Sequence, residues 1–426
     1  MDRRAFLIMA IAGAADSGSG PVAPPARAIV AAPPEPAVQS GDSAFQTWAA
    51  GFIGEAILAG LPAEVVTREM TGLTPDPRID RLDSGQPEFA KPISSYIKGV
   101  VSDDRIAAGR RKCETLSALP RIEATYGVPR SVLVSIWAVE TAFGQIQGDF
   151  DVVRSLATLA ASGRRRDWAE TQLIAAIRII ADGEATRAQL KGSWAGAMGQ
   201  TQFEPDTFLT TAVDADGDGR RDIWGSSADA LASAANLLAK AGWIRGQAWD
   251  REVRLPPGFD YSLTEGPRQA PAAWVALGVR PADGAGWSSA DMAGQAQLLL
   301  PTGAAGPAFL VFDNHFVIRK YNNSTAYALS VGLLADRIDG ANALAVAWPH
   351  EDALSLADRT AAQVALARLG YSPGATDGVI GANTRAALRA WQKARGLPAD
   401  GYLSLDMIDR LRADASAAIA PAAARS

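Results

Sequence analysis

The sequence predicts a mostly helical fold with one small β element, followed by a second, smaller helical segment at the carboxyl end. Three observations carry that prediction. Apolar residues recur at helical spacing over most of residues 45–338, strand-like runs are short and few, and a compact stretch at residues 356–412 follows a lapse in the pattern.

Taken in order, the chain opens Met1-Asp2-Arg3-Arg4-Ala5-Phe6-Leu7, a basic start leading into an apolar run that ends in small residues near Ala15. Residues 1–20 read as a cleaved export signal, because the run is well short of the roughly 20 apolar residues that a bilayer requires. Arg3-Arg4 with Phe6-Leu7 resembles the twin-arginine export motif. No cysteine closes the run, so no lipid anchor and no integral membrane anchor are expected. Residues 21–42 are rich in Pro and Ala and read as a flexible linker. The expected product is a soluble periplasmic protein.

The large domain is expected over residues 43–338. Its helical stretches are marked by Phe52-Ile53-Ala56-Ile57, Val132-Leu133-Ile136-Trp137, Leu173-Ile174-Ile177-Ile180 and Leu231-Ala235-Leu238; Phe309–Phe312 and Phe316–Ile318 read as strands. A linker is expected at residues 339–355 and a small domain at 356–412. In the small domain, Asp377-Gly378 and Asp400-Gly401 each form a turn before a helix, so its two halves echo one another. The Ala-rich residues 413–426 read as a disordered tail.

Composition excludes several chemistries. The 426 residues carry 41 basic and 46 acidic side chains for a net charge of −5, which leaves no sequence-wide cationic field for nucleic acid. One cysteine, Cys113, excludes internal disulfides and thiolate metal sites. His315 and His350 are the only histidines, no GxSxG elbow accompanies them, and His350-Glu351 lacks the second histidine of a zinc helix. Hydrolytic chemistry would have to come from carboxylates, amides and hydroxyls.

Four constellations offer such groups. Glu140 interrupts the apolar stretch Ser131–Gly144 and at helical spacing shares a face with Ile136, Trp137 and Phe143. Desolvation there would raise its pKa toward the range of a general acid; the alternative is a structural carboxylate at a helix end. Residues 192–205 crowd Gly192, Gly196 and Gly199 among Ser193, Gln200, Gln202 and two aromatics, which suits either a groove wall that lets backbone approach a ligand or an irregular loop. Asp214, Asp216, Asp218 and Asp222, with Gly219 at the sixth position, match the first part of a calcium loop; the twelfth position is Gly225 instead of glutamate, so weak calcium binding and a metal-free turn both remain open. Finally, Tyr321, Asn322 and Tyr327 offer stacking faces and an amide usable on sugars, or simply a helix N-cap region.

Together, Ile136–Gly144, Gly192–Gly199 with Gln202-Phe203, the Asp-rich loop, Ala241-Gly242-Trp243 and Tyr321–Thr325 resemble the membrane-bound lytic murein transglycosylase B family over residues 45–338. Leu369-Gly370-Tyr371, Asp377-Gly378, Gly381, Thr384 and Trp391-Gln392 resemble the small three-helix peptidoglycan-binding module that accompanies such enzymes. The resemblance implies a lysozyme-like catalytic domain that cleaves the β-1,4 bond between N-acetylmuramic acid and N-acetylglucosamine in peptidoglycan glycan strands, leaving 1,6-anhydro ends. It implies Glu140 as the sole acid/base and Ser193, Gln202, Tyr321, Asn322, Tyr327 and Tyr96 as substrate contacts. No cofactor is required, and a structural calcium is the one candidate ion. Leu237 stands where the family pattern has a tyrosine. Rival readings are a hydrolytic muramidase on the same fold and a non-catalytic wall-binding scaffold.

Overall fold

The computed structural model describes residues 40–84, 89–163 and 165–419. The expected export signal, nearly all of the first linker and residues 420–426 therefore lie outside the described residues. The chain divides into two compact units, residues 1–85 with 136–236 and residues 86–135 with 237–426. The fold is mostly helical.

The first unit is built around the helix Val152–Ser162, where Asp151 accepts a hydrogen bond from the Arg154 N–H at 3.1 Å and caps the N-terminus. Eight of its first nine positions, including Val152, Val153, Leu156 and Leu159, are buried, so it has little solvent face. The helices Ser40–Leu58, Pro77–Ser84 and Arg166–Ala181 surround it. Ser40–Leu58 begins inside the expected linker and presents Phe45, Ala49, Phe52 and Ala56 as one buried stripe. Each fully buried Leu or Phe of this kind contributes about 1.5–3 kcal/mol of transfer free energy. Arg187 ties the packing together, meeting Glu69 at 2.9 Å and Asp151 at 2.8 Å.

The second unit holds a four-stranded antiparallel sheet in the order 280–281, 250–254, 308–311, 297–299. Trp274, Leu298, Leu310 and Phe312 form the core against it. The run Phe316–Ile318, expected as a strand, lies instead in the helix Asp313–Tyr321. Asn314, His315, Val317 and Ile318 are buried and Phe316 is partly buried, so three bulky residues in sequence serve a helix with little solvent face. Next comes the helix Thr325–Ile338, with ten buried residues, packed against helices Ile93–Val100, Asp103–Thr115 and Asp313–Tyr321.

The terminal module consists of helices Leu356–Arg368, Ala382–Ala394 and Leu405–Ile419 around Leu366, Leu388, Trp391, Ile408 and Leu411. The internal echo is a repeated hydrogen-bonding device. Gln363 accepts from the Gly378 N–H at 2.7 Å and donates toward Asp377 at 3.4 Å; Gln392 accepts from the Gly401 N–H at 2.8 Å and donates to Asp400 at 2.9 Å. Gly378 and Gly401 hold φ of +74° and +73°, a conformation that glycine adopts without steric cost. The last helix overturns the tail expected from residue 413, because it runs to Ile419 with Ala415 buried. Asp414 accepts from Trp391 at 2.9 Å and from Arg395 at 2.7 Å.

The module is pinned to the rest of its unit by charge and hydrogen bonds. Arg385 and Arg389 meet Glu265 at 2.8 and 3.3 Å, and Asp400 accepts from the Ala304 N–H at 2.9 Å. Glu351 accepts from Tyr402 and from the Ser94 N–H, both at 2.7 Å, beside a short antiparallel pairing of residues 89–90 with 354–355.

Candidate active site

Glu140 sits on the last turn of the helix Arg130–Thr141, in which every residue from Ser131 to Ala138 is buried. The residue itself is 6 % exposed. After Thr141 the backbone turns left-handed for three consecutive residues, Ala142, Phe143 and Gly144, with φ of 49°, 63° and 82°. The expectation that Phe143 continues the helical face is therefore corrected. The chain folds back instead, and the Phe143 ring stands edge-on to Trp137 with centroids 5.7 Å apart.

A left-handed residue other than glycine costs about 1–2 kcal/mol, so the surroundings must impose this turn. Thr141 does so with one hydroxyl, which donates to the Gln200 carbonyl at 2.6 Å and accepts from the Gly144 N–H at 2.9 Å. The Phe143 N–H meets the Trp137 carbonyl at 3.1 Å and the Ile146 N–H meets that of Thr141 at 2.9 Å. The end of the glutamate helix is thus fixed from outside the helix.

Gln200 belongs to the glycine-rich strip. Here Gly192 pairs with Phe150 and Lys191 with Asp151 in a short antiparallel ladder, and Met198 bridges both Gly192 and Phe203. The glycines serve close packing within the chain: Gly196 lies against the Leu156 side chain, Gly199 against that of Ile223, and Gly192 against backbone. A Cβ on Gly148 would lie 2.1 Å from the Gly192 carbonyl oxygen, and one on Gly192 would lie 2.1 Å from that of Ala197. Ser193 accepts from the Ala197 N–H at 3.0 Å. Gln202, itself left-handed at φ 52° and 5 % exposed, spends both amide protons on the Gln147 and Gly199 carbonyls at 3.0 Å. Its Oε1 is the group with lone pairs to offer a ligand. These bonds tie the Gln202 segment to the residues that follow Glu140.

The strip is braced in turn by the acidic loop. The Gln200 N–H donates to the Ile223 carbonyl at 2.9 Å, and the side chains of Gln147 and Gln200 both donate to that of Trp224 at 3.1 Å. Within the loop, the oxygens of Asp214, Asp216 and Asp229 gather within 4.8 Å of one another. Among the expected ligands, Asp218 instead accepts from the Arg220 N–H at 2.9 Å, and Asp222 from the N–H groups of Trp224 and Gly225 at 3.0 and 2.8 Å. Asp229 was missed because it lies beyond the twelve-residue frame of a calcium loop, although Ser226 three residues ahead gives the Ser-x-x-Asp pattern of a helix start. Asp229 is fully buried and accepts from the N–H groups of Ala215 and Asp222 at 2.7 and 2.8 Å. Burial nonetheless pushes its carboxyl above the usual range. A buried, electron-rich oxygen beside two exposed carboxylates fits a hard divalent cation such as calcium.

Tyr321, Asn322, Tyr327 and Tyr96 belong to the second unit. Tyr321 and Tyr327 stack on each other with planes 8° apart and are 1 % and 0 % exposed, so neither ring offers the open stacking face expected of it. Asn322, also buried, leaves the helix Asp313–Tyr321 in extended conformation, and Ser324 caps the next helix by accepting from the Tyr327 N–H at 3.3 Å. Tyr96 is half-buried on the helix Ile93–Val100, which packs on the helix that carries Tyr327. Any polar contact these tyrosines make is confined to their hydroxyl tips.

The fixing of the helix end by Thr141 is testable. Thr141→Val keeps the shape but leaves the Gly144 N–H and Gln200 carbonyl unsatisfied, so urea unfolding is expected to register a loss of about 1–3 kcal/mol. Thr141→Ser, which keeps the hydroxyl, is expected to recover most of it.

Comparison with known proteins places the fold in a family. Residues 44–336 match the model of the transglycosylase SLT domain, and residues 355–411 match that of a peptidoglycan binding domain. The chain is 33% identical over 230 residues to membrane-bound lytic murein transglycosylase B of Escherichia coli strain K12, a match covering 52% of this chain and 60% of that relative's length. Among solved structures, SltB3 from Pseudomonas aeruginosa in complex with NAG-anhNAM-pentapeptide superposes with a TM-score of 0.83 at 47% identity, over 86% of this chain and 99% of the other. Slt35 from Escherichia coli in complex with calcium gives a TM-score of 0.60 at 27% identity, over 70% and 93%. The extent of the first match settles the assignment: this chain belongs to the transglycosylase SLT domain family.

Proposed function

We propose that this protein is a lytic transglycosylase that cleaves the β-1,4 bond between N-acetylmuramic acid and N-acetylglucosamine in peptidoglycan without adding water, with Glu140 as its single acid/base. The observation that carries the reading is a buried carboxyl, 6 % exposed, at a helix end whose conformation is imposed by its neighbours. In the first step the Glu140 carboxyl gives its proton to the glycosidic oxygen as the bond to C1 breaks. The resulting carboxylate then removes the proton from the muramoyl C6 hydroxyl while that oxygen closes on C1. Glu140 ends as it began, protonated, and the sugar ends as a 1,6-anhydro ring. Ordinary retaining and inverting glycosidases need a second carboxylate for nucleophile or water activation, and this sequence of steps does not. Family membership and the sugar-peptide ligands of the SltB3 complexes, one bearing anhNAM and one NAM, support the substrate class.

Ser193 and the Gln202 Oε1 are read as sugar contacts on the glycine-rich strip, and Tyr321, Asn322, Tyr327 and Tyr96 as contacts through their polar tips. The terminal module holds the enzyme on the polymer and raises its local concentration there. Residues 1–20 are read as the export signal that brings the chain to the periplasm. Among the described residues no helix is long and apolar enough to cross a membrane.

Calcium is read as a structural ion held by Asp214, Asp216 and Asp229. It would brace the loop behind Gln200 and takes no part in the chemical steps.

Two measurements test these readings. Purified sacculi incubated with parent protein are expected to release soluble fragments, and Glu140→Gln is expected to lower that rate by at least a thousandfold while still binding sacculi; equal release would remove Glu140 from the mechanism. Calcium at about a hundredfold excess over its dissociation constant is expected to add about 2.7 kcal/mol of stability. Asp216→Ala is expected to abolish that gain in a calcium titration followed by thermal melting.

A further inference from the structure

The second unit contains a cavity of about 760 Å³ that none of the steps above uses. Its size falls within the range typical of small-molecule sites. Its walls come from the helices Ile93–Val100 and Thr325–Ile338, the strand 250–254 and the irregular segment 341–348. That segment is held across the opening by Glu252, whose two carboxylate oxygens accept from the Ala345 and Val346 N–H groups, both at 2.8 Å.

Most of the lining is apolar or aromatic, with Trp249 and Trp348 among it, and the polar part carries more acid than base: Asp103, Asp250, Glu252, Asp291 and Asp336 against Lys98, Arg251 and Arg337. Trp249 donates to Asp336 at 3.1 Å. Among the described residues, Asp250 makes no side-chain hydrogen bond and no ion pair. Of the three cations in the lining, Arg251 meets Asp283 at 3.2 Å and only partly offsets the charge at Asp250, Arg337 donates to the Ala341 carbonyl at 2.8 Å, and Lys98 is exposed. Burial, and for Asp250 the neighbouring Asp336 charge, push both carboxyls above the usual range. The fold thus lines a largely apolar space with an excess of acidic side chains, and no cation forms an ion pair with Asp250 or Asp336 among the described residues. Such an arrangement costs stability unless something else supplies the positive charge.

A metal ion is a poor candidate. Among the described residues the one group of three acidic side chains close enough to cage a cation is Asp214, Asp216 and Asp229, in the other unit. Apolar walls and two indole rings suit a cation that carries its own hydrocarbon, because the alkyl part buries area while the charge meets carboxylates and ring faces.

We infer that this cavity is a binding site for an alkyl ammonium group, seated between Asp250 and Asp336 with its chain against Trp249 and Trp348. The inference does not rest on the reading of Glu140. Two sources present the same chemistry: a free aliphatic diamine, and a wall peptide whose diamino acid has an unacylated side-chain amine.

The test is calorimetric titration of the full chain with 1,5-diaminopentane and, separately, with a short peptide bearing a free diamino-acid side chain, at constant ionic strength. Saturable binding at one site is expected with at least one of them, weakened tenfold or more in Asp250→Asn and in Asp336→Asn, and unchanged in Asp216→Ala. Circular dichroism checks that both Asn variants are folded; because each is isosteric and removes a buried charge, at least one is expected to be. The tighter of the two ligands identifies the source, and either supports the site. The inference is overturned if neither amine binds at millimolar concentration. It is equally overturned if 1,5-pentanediol binds as well as the diamine, or if both Asn variants bind like the parent.

Discussion

The hydrogen bond from the Thr141 hydroxyl to the Gln200 carbonyl, 2.6 Å long and buried, is the contact on which the geometry of the site depends. The helix that carries Glu140 ends in a left-handed run that two non-glycine residues would not adopt unaided, and this bond holds the run against the glycine-rich strip. Behind the strip stand Ile223 and Trp224, and behind them the loop organised by Asp229. A continuous chain of hydrogen bonds therefore runs from the acidic loop to the helix end next to Glu140. An ion at the acidic loop, as proposed above, would act on the site as bracing, stiffening the support of the Glu140 carboxyl through this chain of hydrogen bonds.

Elsewhere the chain uses buried amides in the same way. In the terminal module Gln363 and Gln392 each receive the N–H of a turn glycine and return a proton to the aspartate before it, so two turns are built alike from one small device. The module is anchored by Glu265 and Glu351, each taking two partners, and is not left on a free tether. Against this thrift the cavity beside Asp250 is an exception, because acidic side chains are concentrated in it and Asp250 makes no side-chain hydrogen bond or ion pair among the described residues.

Much of this was legible in the sequence because it follows from periodicity. The stripe Phe45, Ala49, Phe52, Ala56 and the nearly continuous apolar stretch before Glu140 announce their helices directly. The paired Asp-Gly turns announced the module. What was not legible depended on partners distant in sequence. Phe316–Ile318 reads as a strand because burial on most faces of a helix removes the 3.6-residue signature. Asp229 is invisible to a loop template that ends at its twelfth position, and the stacking of Tyr321 on Tyr327 turned apparent platforms into core. The strip's glycines read as places where backbone could approach a ligand, whereas Gly192 admits backbone of the same chain and Gly196 and Gly199 admit the side chains of Leu156 and Ile223.

The central claim is that one carboxyl works without water as a reactant, and the fate of water oxygen tests it most directly. Sacculi digested in heavy-oxygen water and analysed by mass spectrometry should give muramoyl ends that are 1,6-anhydro and carry no label. Reducing ends that each contain one solvent oxygen would contradict the account and identify a hydrolase on the same scaffold.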